Sequence, residues 1–485
     1  MTPNPEPTKA PAPNKWLAML GVGLGVLMAT MDVSIVNLSL PTLVTELHTD
    51  FPTIQWVILA YVVVVTSLMM GVARFGDMRG KKEVYTVGLS VFTLGSLLCG
   101  LAPSVGWLIG FRGLQGCGAV MTQALGAAII TEVFPSSERG RALGIIGSIV
   151  SIGLALGPAF GGLLIGLAGW RSIFLVNVPL GGAALWVLTR FVPPSKPGPS
   201  GQRFDLVGAA VIFLTLGCYA LGMTLGQRRG FGDGSVLTLL VSAAAGLALF
   251  LWTQKRAAQP MLDLGLFKNV LFSLNLLMSL LVFILVAGMF IMPFFLELVK
   301  GYATHQVGLF MMVVPVAMGV LAPGAGTLSD RFGPRWISLI GVLVIVGGCL
   351  ALSTLDEEVT AWGYVLRILP LGIGMGLFGS PNNSAIMGAA PRHRLGVASG
   401  LMALSRTLGH TTGLPLIGAL FTAQVASLGG PAAARDVTAA APAVLAAGVN
   451  GTFRVAAASV LLSAVLAAGA LWIDRRRKRA EESES

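Results

Sequence analysis

Long apolar runs alternate with short polar breaks along the whole chain. The runs lie near 16–43, 54–75, 84–103, 106–131, 142–167, 171–192, 206–226, 235–253, 271–299, 305–328, 336–354, 362–388, 396–425 and 449–473. Each approaches or exceeds the roughly 20 apolar residues with which an α-helix crosses a bilayer. A transmembrane β-barrel is excluded, because its strands alternate apolar and polar residues. The pattern predicts an all-α membrane protein with fourteen transmembrane helices.

The breaks organise the spans. A Pro/Gly-rich stretch at 193–204 reads as a linker, and 255–270 reads as a second loop. Between them, 205–254 holds two helices that look like an accessory insert. On either side stand six-helix blocks, 16–192 and 271–473. Residues 1–15 form a polar, Pro-rich tail, and 474–485 a basic one. The first apolar run is too long for a signal-peptide core, so it is expected to stay as a helix of the mature protein.

Composition agrees. The 485 residues are 55% hydrophobic and 11% charged, with 63 Gly. A soluble chain of this size carries far more charge. The net charge of +11 does not point to nucleic acid, because basic residues are scattered between spans. With the N-terminus in the cytoplasm, 23 of the 32 Lys and Arg fall on the inner side, which sets the orientation. An even span count then places both termini inside, in a cytoplasmic (inner) membrane. Arg475-Arg-Arg-Lys-Arg479 is expected to anchor at the membrane surface. Cys99, Cys117, Cys218 and Cys349 all fall in spans without metal-ligand spacing and read as packing residues. No ATP-binding loop and no His/Cys cluster is present, so no enzyme activity, cofactor or metal is expected.

The blocks carry a weak repeat. Gly76-Asp-Met-Arg-Gly-Lys-Lys82 follows the second span, and Gly326-Thr-Leu-Ser-Asp-Arg-Phe-Gly-Pro-Arg335 follows the tenth. Arg112 then precedes Gly116 and Gly118, as Arg367 precedes Gly372 and Gly374. Repeated six-helix halves are the plan of many secondary transporters.

Asp32 is the first candidate for chemistry. A lone carboxylate in hydrocarbon costs several kcal/mol, so it must face water, find a partner or take up a proton. Arg112 is its natural counter-charge, and a fixed ion pair is the alternative to proton handling. Asp77 and Asp330, with Arg79 and Arg331, are candidates for a cytoplasmic latch; the neighbouring lysines read as topology signals. Gly153, Gly157 and Gly161, with Pro158 and Gly162, form a smooth helix face that reads as a packing surface and a hinge. Asn37, Gln115, Asn382, Asn383, Arg406 and His410 are candidate cavity-lining residues. Glu297 is expected at the membrane interface.

These residues resemble a known family, the fourteen-helix drug:proton antiporter branch of the major facilitator superfamily. Met31-Asp-Val-Ser-Ile-Val-Asn-Leu-Ser-Leu-Pro41 resembles the branch's first-helix motif. Arg112-Gly-Leu-Gln-Gly-Cys-Gly118 resembles the fourth-helix motif, and Gly157-Pro-Ala-Phe-Gly-Gly162 the antiporter motif of helix 5. Trp170-Arg-Ser-Ile-Phe-Leu-Val-Asn-Val-Pro179 is typical of the branch. In the first cytoplasmic loop Ala73 replaces the usual leading Gly, and Met78 stands where Arg usually follows the Asp. That latch is therefore either weaker or dependent on Arg79.

The resemblance implies proton transfer at Asp32 and Arg112, a latch at Asp77 and bending at Gly157 and Pro158. It implies alternating access, with small amphiphilic compounds or drugs exported against protons by a monomer in the bilayer. A narrow exporter of an endogenous metabolite or antibiotic fits the same motifs. A non-transporting sensor or scaffold is the reading from another class.

Overall fold

In the computed structural model the described residues are 15–134, 139–194, 205–257, 262, 264–390, 395–435 and 437–484. The expected linker and N-terminal tail lie almost wholly outside them. Among the described residues there is no strand. The principal helices are α1 (Lys15–Glu46), α2 (Trp56–Arg79), α3 (Lys81–Gly100), α4 (Val105–Val133), α5 (Arg139–Ala168) and α6 (Asn177–Phe191). Next come α7 (Leu206–Arg229), α8 (Gly234–Arg256) and α9 (Val270–Ala287). The chain ends with α10 (Thr304–Met311), α11 (Val313–Phe332), α12 (Pro334–Leu352), α13 (Ala361–Ala389), α14 (Leu395–Arg435) and α15 (Pro442–Glu484).

Twelve helices among the described residues are long and apolar enough to cross a membrane. Two shorter apolar helices, Ile152–Ala168 and Val207–Met223, stand where the fifth and seventh spans are expected. The count of fourteen is thus not reached by length and composition alone.

Several runs that read as single spans are interrupted. The ninth continues past α9 as a 3-10 turn (Gly288–Phe290), a short α-turn (Ile291–Phe294) and a π-helix (Phe295–Val299). Pro293 lies inside this stretch; it supplies no N–H and its ring crowds the carbonyl one turn back. The tenth breaks at Met312, three residues before Pro315, for the same reason. The basic tail is no separate element, since α15 carries its helix to Glu484. Arg, Lys, Ala and Glu are strong helix formers with no breaker among them.

Packing repeats along the chain. α1 lies against α5 and α6, as α9 lies against α14 and α15. α4 lies between α2 and α3, as α13 lies between α11 and α12. The accessory α7 and α8 pack on each other, and α7 also touches α2 and α14. Glycines bring the inner pairs together. A Cβ on Gly118 would sit 2.2 Å from the Phe92 nitrogen and 2.5 Å from the Gly88 oxygen; one on Gly374 would sit 2.7 Å from both the Ile345 nitrogen and the Gly341 oxygen. Small residues allow such backbone approach where lipid offers no hydrophobic drive. Gly118→Ala is expected to push α4 off α3 and cost about 1–3 kcal/mol, read as a lower unfolding midpoint in detergent.

The same glycines correct the register of the repeat. Six residues before Gly118 stands Arg112, whereas six before Gly374 stands the buried Ile368. Arg367 is one position off. It donates from Nε to Thr354 Oγ1 (3.0 Å) and from Nη1 to Gly363 O (3.0 Å) near the start of α13. Among the described residues the position equivalent to Arg112 is therefore held by Ile368 in the second half.

Candidate functional site

α1 has little amphipathic character because most of its length is buried, including Asp32 at 2% exposure. α4 carries Arg112 at 1% and Gln115 at 0%, one turn apart on the same face. The two helices touch. Arg112 Nη1 donates to Asp32 Oδ2 at 2.5 Å, and both side chains are almost wholly enclosed.

A polar network surrounds the pair. Asp32 Oδ1 accepts from Gln115 Nε2 (2.8 Å) and from Asn177 Nδ2 on α6 (3.3 Å). Gln115 Nε2 also donates to Ser96 Oγ on α3 (2.7 Å). Arg112 Nε donates to the Val57 carbonyl of α2 (2.9 Å), and Nη1 to Gln115 Oε1 (2.6 Å). The guanidinium carbon lies 4.4 Å from the Tyr61 ring centroid. Five helices thus converge on one ion pair, and the bonds made within it offset part of the cost of burying two charges.

The guanidinium keeps three partners that do not involve Asp32: the Val57 carbonyl, the Gln115 amide oxygen and the Tyr61 face. Of the two, only the carboxylate has an ordinary neutral form, because a guanidinium stays protonated at any physiological pH.

Other expectations fare differently. Gln115 is fully buried and bridges the pair, because its amide offers both a donor and an acceptor. Asn382 is 1% exposed, with Nδ2 donating to Asn275 O at 3.3 Å. Asn37, Asn383, Arg406 and His410 are half-buried. Asn383 and Arg406 come together, Nη2 to Oδ1 at 2.9 Å, and His410 lies against Phe283. Glu297 is half-buried in the π-helix, and its Oε1 is buried without a partner. Asn177, Ser96 and Tyr61 were not expected at the site, although Asn177 stands within the motif 170–179.

The glycine face of α5 receives α1. Cβ atoms on Gly153, Gly157 and Gly161 would meet Thr30 Oγ1 at 2.2 Å, Ser34 Cβ at 2.7 Å and Ile35 Cγ2 at 2.7 Å. Gly162 faces elsewhere, against the Thr304 carbonyl of the second set at 2.7 Å. Pro158 stays within α5, and its carbonyl meets Gly308.

The side chains of Asp77 and Asp330 lie outside the described residues. Arg79 and Arg331 are exposed and lie over the rings of Phe75 and Phe332. The lysines do more than mark topology. Lys81 pairs with Glu132 of α4 at 2.5 Å, and Lys82 donates to the Thr189 and Val192 carbonyls at the end of α6. Among the described residues no three His, Cys, Asp or Glu could hold a metal ion together.

The two sets of helices meet at the end where α1 finishes. Phe51 stacks on Phe290 (5.6 Å between centroids) and meets Phe294 (5.0 Å) and Phe421 (5.9 Å) edge-on or tilted. All four are buried. Beside them α5 crosses α10 with backbone against backbone at Gly162 and Gly308. Toward the other end, an apolar recess of about 320 Å³ opens between α1 at Trp16–Leu27 and α5 at Ile145 and Ile149.

Comparison with known proteins places this geometry. The chain is 34% identical over 416 residues to the multidrug resistance protein Stp of Mycobacterium tuberculosis, covering 85% of this chain and 76% of that one. It is 32% identical over 408 residues to the riboflavin transporter RibZ of Clostridioides difficile, covering 84% and 88%. Its fold matches a bacterial homologue of the human lysosomal transporter Spinster with a TM-score of 0.69 at 16% identity, over 95% of this chain and 97% of that one. The Major Facilitator Superfamily profile matches residues 22–414. The chain belongs to that superfamily and is a multi-pass membrane transporter, not an enzyme.

Proposed function

We propose that the protein is a proton-coupled antiporter that exports small amphiphilic compounds by alternating access. The observation that carries this reading is the Asp32–Arg112 pair, an ionisable carboxylate enclosed in the spanning region with a partner that can hold its own charge. Intramembrane acids mark ion pathways by default. The chain offers no nucleotide site, so an ion gradient is the natural source of energy.

With the N-terminus in the cytoplasm, the aromatic cluster around Phe51 lies on the outer side and the recess beside Trp16 on the inner side. The arrangement is then an inward-facing one. Solute enters from the cytoplasm or inner leaflet. The two six-helix blocks, 16–192 and 271–473, rock against each other, the outer seal parts and solute leaves. Asp32 takes a proton from outside, and its bond to Arg112 loosens while the guanidinium stays on Val57, Gln115 and Tyr61. The protonated carrier returns and releases the proton inside. Asp77 and Asp330 would latch the cytoplasmic side through Arg79 and Arg331, and α7 and α8 act as an accessory pair.

The test uses proteoliposomes with an internal pH-sensitive dye and a panel of drugs and dyes. Wild-type protein is expected to move protons when a transported compound is added. Asp32→Asn is expected to stay folded, because Asn still accepts from Arg112, and to move none. Gradient-driven efflux at the wild-type rate in Asp32→Asn would overturn the assignment. Breadth is read from the same panel, since the relatives include both a multidrug resistance protein and a riboflavin transporter.

A further inference from the structure

Three arginines lie within spans, and two are accounted for. Arg112 has Asp32, and Arg367 has a hydroxyl and a carbonyl near the start of α13. Arg406 is different. It stands eleven residues into α14, about 16 Å along the helix, well within the membrane. Among the described residues its hydrogen-bond partner is neutral, Asn383 Oδ1 at 2.9 Å, and its Nε is buried with no acceptor. No Asp or Glu occurs between Glu358 and Asp436, so neither α13 nor the span of α14 can offer a counter-ion. A guanidinium without an anion is costly at that depth.

The surroundings are specific. Asn383 comes from α13 and Phe283 from α9, so the guanidinium sits where three helices meet. Its carbon is 5.5 Å from the Phe283 ring centroid, and His410, one turn along α14, lies 5.6 Å from the same ring at an interplanar angle of 60°. A planar fork of donors with one donor unused, beside two aromatic faces, matches a flat acid. The fork suits a carboxylate bidentately, and the rings suit an aromatic body.

We propose that Arg406, with Asn383 and the Phe283–His410 pair, is the binding site for the acidic group of an aromatic, anionic substrate. The proposal rests on the transporter reading above and narrows its substrate class. It separates the duties of the two halves: the first holds the proton site, and the second holds the counter-charge for the cargo.

The test is binding to the purified full chain in detergent, with no gradient, read by thermal shift and by tryptophan quenching. The probes are 1-naphthoate, its uncharged amide, and ethidium as a cation. Naphthoate is expected to bind wild-type protein and the amide at least about tenfold more weakly. Arg406→Gln is expected to lose about 10- to 100-fold in naphthoate affinity. Arg406→Lys keeps the charge without the fork and is expected to fall between. Gly166→Val, whose Cβ position has no atom within 4 Å, is expected to bind naphthoate like wild type, and the absence of a gradient keeps the result independent of proton coupling. Equal naphthoate affinity in wild type and a folded Arg406→Gln, no naphthoate binding to wild type, or preference for the amide or ethidium would each overturn the proposal. Proton movement driven by cationic dyes would then leave the antiport reading standing.

Discussion

Arg112→Gln is expected to cost the folded chain about 3–5 kcal/mol, the usual penalty for removing one member of a buried ion pair. The cost arises at Asp32. With the guanidinium gone, the carboxylate retains the amide donors of Gln115 and Asn177, both neutral. Val57 O loses its donor as well. Asp32→Asn leaves the guanidinium without its anion but with three neutral partners, and is expected to lose less than Arg112→Gln. Combining Asp32→Asn with Arg112→Gln should recover part of the loss, and the double-mutant cycle measures the coupling directly. A single Arg112→Gln as stable as wild type at neutral pH would show that the pair is not held as the geometry describes.

How much of this was legible beforehand depends on the kind of signal. The spans were legible because a bilayer demands long apolar runs, and that demand is met locally in the chain. Asp32 and Arg112 were legible because charge in such a run is rare. Their neighbours were not. Asn177, Ser96 and Tyr61 are neutral polar residues, and nothing local says which face of a helix turns toward the pair. Gln115 belongs with them: its amide bridges Asp32 and Arg112, and its placement goes with the close approach of Gly95 to its backbone. The repeat was visible as motifs, but its register was off by one residue at Arg367, because spacing along the chain does not show which glycines touch. The breaks near Pro293 and Pro315 were hidden inside apolar runs, where hydropathy is blind to backbone geometry. The anion-seeking character of Arg406 needed the structure, since an unpaired donor is a fact about neighbours.

Gly308→Val is expected to open the sealed end. A Cβ at this position would sit 2.3 Å from the Pro158 carbonyl oxygen and 3.2 Å from the Ala159 Cα, both backbone atoms of α5. No rotamer change relieves such a clash, so α10 and α5 must separate. Those helices belong to the two sets that meet there, and the adjacent crossing at Gly162 against Thr304 and His305 is equally close. Overpacking of this kind costs about 1–3 kcal/mol. Charged against the sealed state alone, it shifts the balance between the two states by about 5- to 150-fold. Spin labels at the exposed Glu46 and Ala361, in a background freed of the four cysteines, are expected to report a longer distance in Gly308→Val than in wild type. Gly166→Val is the control, because no atom lies within 4 Å of its Cβ position. It changes helix propensity without prying helices apart. Substrate access from the recess beside Trp16 should fall in Gly308→Val as the population turns outward. Unchanged label distances would mean that the glycine crossing is only packing, and that the aromatic cluster around Phe51 holds the seal without it.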